Sequence, residues 1–149
     1  MRAFHEIASE YCDWFEHRVK HRKLAVWLPC ILAELIHAGF RLPAFNASKV
    51  PSQDFQPRDC RSKKDRSLHL PFRHYREVFD ALDLTAEPVT AGLVDDLLDI
   101  YLDLARGFQI ANERSPEDGV RHWSLLFRVH WGEHATGALR ALYCAHRNK

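Results

Sequence analysis

Glycine is scarce in this chain, six in 149 residues. No glycine-rich loop of the kind that cradles a phosphate occurs, and no serine stands at the strained elbow of an α/β-hydrolase. Cysteine is sparse as well. Cys12, Cys30, Cys60 and Cys144 are too far apart for a zinc knuckle or a dithiol redox motif. Charge of one sign is lacking: the net charge is +1 with neutral histidines. That leaves no whole-molecule field to draw in nucleic acid. Long hydrophobic runs are missing too. The longest, Leu24 to Ala33, is interrupted by Pro29 and is too short to span a bilayer. The opening residues, Met1 to Glu6, do not have the apolar core of a signal peptide. Free cysteines and no leader together point to a reducing cytoplasm. The chain shows no internal repeat and no β-hairpin signal.

What the chain does have is helical periodicity. Hydrophobic residues make up 46% and charged residues 28%, a globular balance, and the length suits a single domain with its own core. Phe4, Ile7, Ala8, Tyr11, Phe15 and Val19 predict an amphipathic helix over 3–20, with acids early and bases late to suit the helix dipole. Residues 24–41 are apolar almost all round, which predicts a central buried helix; Pro29 should kink or restart it. Glu34 is the one carboxylate there, read either as a surface ion pair or as a group aimed into the bundle. Three prolines and a basic run from Arg58 to Arg66 mark 42–67 as a long surface loop. Phe72, Tyr75, Val78, Phe79 and Leu82 predict a third helix over 71–84. Thr90 is read as the N-cap of a fourth, about 91–112, and Ser115-Pro116-Glu117-Asp118 starts a fifth. This last helix is expected to run unbroken to about His146. The fold predicted is all-α: one domain, 1–149, a bundle of about five helices with a long C-terminal helix.

The chemistry concentrates in two helical segments. His130 and His134 are four apart in His130-Trp131-Gly132-Glu133-His134, on a face shared with Trp123, Phe127, Ala138 and Ala141. Asp99 and Asp103 are also four apart, with Asp95 and Asp96 beside them. Like charges at this spacing repel mildly and call for a counter-charge. If the fourth and fifth helices pack antiparallel, the carboxylates can face the imidazoles. Helix pairs build carboxylate–histidine metal sites this way, and such a mixed N/O set suits zinc, manganese or iron. The structural alternative is a buried hydrogen-bonded network that holds the helices in register. A metalloprotease helix is disfavoured, because Trp131 follows the first histidine where glutamate belongs. The other histidines, His122 among them, are read as solvent-facing or as local caps, and the four tryptophans as core.

Asp95-Asp96-Leu97-Leu98-Asp99-Ile100-Tyr101, taken with His130-Trp131-Gly132-Glu133-His134 and with Tyr75-Arg76-Glu77-Val78-Phe79-Asp80, resembles a bacterial family of helical proteins, domain of unknown function five thousand and sixty-three. The resemblance covers residues 72–145. It implies an all-helical fold and no activity.

Two classes of function follow. One is a non-enzymatic cytoplasmic helical-bundle protein acting through a protein partner or homo-oligomer contacts. The other is a metal-binding bundle, with hydrolase chemistry as its extension, using His130, His134, Asp99 and Asp103, with Asp96 and Glu34 in reserve. Nucleic-acid binding through 17–23 and 58–66 would need more positive charge than the chain carries, and no membrane segment is read. No complete catalytic constellation is legible.

Overall fold

A computed structural model describes residues 2–17, 23–45 and 70–148. The elements are α1 (Phe4–His17), α2 (Leu24–Phe40), β1 (His74–Glu77), β2 (Val89–Gly92), α3 (Leu93–Glu113), α4 (Pro116–Val129) and α5 (Trp131–Arg147). Among the described residues, five helices and one small antiparallel two-stranded sheet make a mostly helical bundle. The expected loop at 42–67 and the basic run at 58–66 lie outside the described residues, apart from 42–45. The same holds for most of the basic cluster at 17–23.

The core forms where the helical stripes meet. Tyr11, Leu32, Leu35, Leu97, Ile100, Leu104 and Trp131 are sealed from solvent. Sealing Tyr11 requires a partner for its hydroxyl, and it donates to the Leu97 carbonyl at 2.8 Å. Trp14, Trp123 and Trp131 are core residues as expected. Trp123 donates its indole N–H to the Leu104 carbonyl at 3.0 Å, and Trp131 donates to that of Trp123 at 3.1 Å. No described helix is long and apolar enough to cross a membrane.

Four expectations need correction. α2 is not buried all round: Leu28, Ile31, Leu32 and Leu35 face inward, while Val26 and Phe40 are exposed. Of the two outcomes expected at Pro29, the helix does not restart there: the proline lies inside α2. Residues 71–84 are not a helix. His74–Glu77 is extended and pairs with Val89–Gly92, with Tyr75 opposite Ala91, so Thr90 is a strand residue and Gly92 precedes α3. Two turns explain why the helical stripe fails. Asp80 accepts from the backbone N–H of Leu82, and Asp83 from that of Thr85, each at 2.9 Å. Aspartates that bond two residues ahead compete with helix. Phe79 and Leu82, counted as a helical stripe, are exposed.

The fourth correction concerns the last helix, which breaks at His130. There φ is −152° and ψ −87°, and the residue ends α4 and begins α5. Gly132 explains how the chain turns so tightly. A Cβ there would overlap the Phe127 carbonyl oxygen and sit 2.7 Å from its ring. The turn lets adjacent residues do different work: Trp131 is wholly buried, and His130 reaches α3. The start of α4 is as read, with Ser115 accepting from the Asp118 N–H at 3.1 Å and Pro116 at the first position.

Candidate functional site

The site lies where α3 meets the α4–α5 junction, and the two run antiparallel. Asp103, nearer the C-terminal end of α3, meets His130; Asp96, in its first turn, meets His134. Periodicity put Asp96, Asp99 and Asp103 along one side of α3, and packing turns that side toward the histidines.

His130 Nδ1 lies 2.6 Å from Asp103 Oδ2, and His134 Nδ1 lies 3.0 Å from Asp96 Oδ1. An ionised carboxylate only accepts, so in each neutral ring Nδ1 carries the proton and Nε2 keeps its lone pair. The rings stand edge to face with centroids 4.8 Å apart. His134 Nε2 lies 3.7 Å from Asp99 Oδ2. Ligand atoms of Asp99, His130 and His134 all fall within 4.8 Å of one another. Two ligand atoms on one tetrahedral zinc, each about 2.1 Å from it, stand about 3.4 Å apart. The Asp99–His134 edge is close to that spacing. The edges to His130 lie within 4.8 Å, and its side chain is 45% exposed.

Asp96 and Asp103 stand behind this trio. Asp96 is buried and both of its oxygens are engaged, Oδ1 by His134 and Oδ2 by the Tyr75 hydroxyl at 2.7 Å. Tyr75 lies in a stretch whose spacing predicts a helix, where nothing directs its hydroxyl to Asp96. Its strand position next to a buried aspartate is visible only in the fold. Burial pushes the Asp103 carboxyl above the usual carboxylate range, opposed by its bond to His130. The hydrogen bond to Asp96 holds the His134 imidazole above its ordinary value, against desolvation.

One open reading is decided here, in favour of the surface ion pair, and one expectation is revised. Glu34 does not point into the bundle: it is an exposed partner of Arg2 at 3.0 Å. His122 does not face solvent. Its ring bonds the Asp103 backbone, its Nε2 has no partner among the described residues, and burial pushes it down to about 4. Asp99, His130 and His134 thus converge as a two-nitrogen, one-oxygen donor set, and Asp96 and Asp103 fix the two rings.

Comparison with known proteins bears on the fold and the family. No curated protein matches the chain. A crystal structure of protein BF1032 from Bacteroides fragilis, a Northeast Structural Genomics Consortium target, is similar with a TM-score of 0.64 and 20% identity, over 94% of this chain and 87% of that one. At that identity the likeness speaks for the fold. The family model described as Domain of unknown function (DUF5063) matches residues 1–147, extending the resemblance of 72–145 over nearly the whole chain. The chain therefore belongs to the DUF5063 family, described as a domain of unknown function.

Proposed function

We propose that this protein binds one divalent transition-metal ion through Asp99, His130 and His134, with Asp96 and Asp103 as the carboxylates that orient the two histidines. The observation that carries the reading is the pair of carboxylate–imidazole bonds at Nδ1, beside a converging third carboxylate. Metal-binding histidines commonly give their second nitrogen to a carboxylate, which sets the tautomer and raises the ligand's basicity. Zinc, manganese and iron(II) all accept two imidazoles and a carboxylate. Three protein ligands on a partly exposed site leave a coordination position for water, the arrangement of a reactive rather than a purely structural site. A reducing cytoplasm suits the three free cysteines among the described residues, Cys12, Cys30 and Cys144.

The test is metal analysis of tag-free protein, followed by titration with zinc and manganese. About one equivalent of metal, lost in His134→Ala, is expected. Less than about a tenth of an equivalent, with no thermal stabilisation by either ion, would overturn the reading. That outcome leaves the same residues as a hydrogen-bonded register lock between α3 and α5.

A second reading, contact with a protein partner or a second copy of this chain, draws on a different observation. Leu82 and Leu84, at the turn between β1 and β2, are 91% and 96% exposed, with exposed Phe79 nearby. Sedimentation across a concentration range tests self-association through this turn, with Leu84→Ser as control.

A further inference from the structure

We propose that Tyr75 is the positioning residue that decides which nitrogen His134 offers to the metal position. In its metal arm this rests on the reading above; in its metal-free arm it does not.

The chain of contacts has four members, since the Glu77 carboxylate also hydrogen-bonds the Tyr75 side chain from the same strand. The Tyr75 hydroxyl donates to Asp96 Oδ2 at 2.7 Å, and Asp96 Oδ1 accepts from His134 Nδ1 at 3.0 Å. A carboxylate held at one oxygen can still swing about its Cβ–Cγ bond. Held at both, in a buried setting, it is fixed in plane and direction. The imidazole that donates to it is then fixed in tautomer, since the proton stays on the nitrogen that has a hydrogen-bond partner. Nε2 of His134 is left with its lone pair, 3.7 Å from Asp99 Oδ2.

Tyr75 is itself held from two sides. Its strand pairs with β2, which continues directly into α3, and the Leu93 N–H bonds the Arg73 carbonyl at 2.9 Å. The sheet thereby sets the tyrosine against the first turn of α3, where Asp96 lies. On the other side β1 comes so close to α5 that a Cβ at Gly137 would stand 2.8 Å from the Tyr75 hydroxyl and overlap the Glu77 carboxylate. Gly137 is three residues beyond His134 on α5, so it lies one turn away on nearly the same face. The small sheet thus meets Asp96 directly through the Tyr75 phenol, with the Glu77 carboxylate behind it. With Tyr75 removed, Asp96 Oδ2 would be buried without that donor. The carboxylate would then rotate toward the metal position or away from Nδ1, and the hold on the His134 tautomer would loosen in either case.

Nitrogen-15 correlation spectra of the histidine side chains test this in the full-length, metal-free protein, above the pH at which His134 is protonated. In the wild type, neutral His134 is expected to carry its proton on Nδ1. A wild-type His134 protonated on Nε2 overturns the proposal without any variant. In Tyr75→Phe, the His134 resonances are expected to move toward a tautomer mixture. Those of His130, which leans on Asp103, stay in place. Unchanged His134 resonances in a folded Tyr75→Phe protein also overturn it. In the metal arm, zinc affinity of Tyr75→Phe falls about tenfold, the usual cost of losing an outer-shell partner; an unchanged affinity counts against Tyr75. If the wild type takes up no zinc, the metal reading fails by itself, and the metal-free spectra still decide the role of Tyr75.

Discussion

At the scale of the residue, two histidines in one small region titrate in opposite directions. Burial lowers His122 to about 4, against about 6.5 in an unfolded chain. Between those values the unfolded state takes up a proton that the folded state refuses, so stability falls as pH drops from about 6.5 toward 4. His134 behaves conversely. Its folded value is raised, so its contribution is fully present below about 6.5 and is lost as pH rises through the folded value. His122→Gln should therefore flatten the acid-side loss of stability and leave the loss on the alkaline side intact. Urea denaturation midpoints at several pH values from about 4.5 to 8 measure both. An acid-side slope unchanged in His122→Gln would mean that His122 is protonated within the fold. Sequence could name His130, His134, Asp99, Asp103 and Asp96, because ionisable residues in apolar helical stripes stand out. Tyr75 and His122 do not stand out, because a tyrosine hydroxyl or a scattered histidine gains a role only from what packs against it.

At the scale of the element, the break between α4 and α5 is decisive for the site. On one straight helix, His130 and His134 would share a face with Trp123 and Phe127 and be drawn into the core with them. The turn at His130 separates these demands: Phe127 and Trp131 pack ring to ring at 4.8 Å, and both imidazoles face α3. Gly132→Ala adds a methyl against the Phe127 carbonyl and ring, and should cost about 1–3 kcal/mol, typical of an overpacked position. It should also weaken metal uptake by shifting His130. Ser115→Ala removes a real N-cap and should cost about 1 kcal/mol. Thr90→Ala, at an exposed strand position, should cost much less, which separates the cap seen in the structure from the one expected. Thermal melts of the three variants check this order; equal losses for Ser115→Ala and Thr90→Ala would contradict it.

At the scale of the whole molecule, the site ties together parts of the chain that are remote in sequence. Through Asp96 alone, β1, α3 and α5 are joined. An ion held by Asp99, His130 and His134 adds α3 and the α4–α5 junction to the same knot, so its binding energy appears as global stability. At a hundredfold excess over Kd the gain is about 2.7 kcal/mol. For a domain of this size that raises Tm by roughly 5–10 °C. Calorimetry with and without zinc measures it. A lowered Tm would mean that the ion prefers histidines and cysteines of the unfolded chain to the folded site.

Composition and periodicity by themselves determined that this chain is a mostly helical bundle. They also placed α1, α3, the capped start of α4 and the two facing rows of ionisable residues. Each of these depends on contacts within a few turns, where the 3.6-residue repeat and the capping side chain speak for themselves. Three features were decided only by tertiary structure: the strand at His74–Glu77, the turn at His130, and the division of five ionisable residues into a converging trio and two orienting carboxylates. In each, local pattern competes with burial and close approach. Tyr75 sits in a stretch with helical spacing, yet it is held extended by pairing with Ala91 on β2 and by a glycine on α5 that leaves room for its hydroxyl. Such a balance is set by atoms far apart along the chain, and it exists only once they meet.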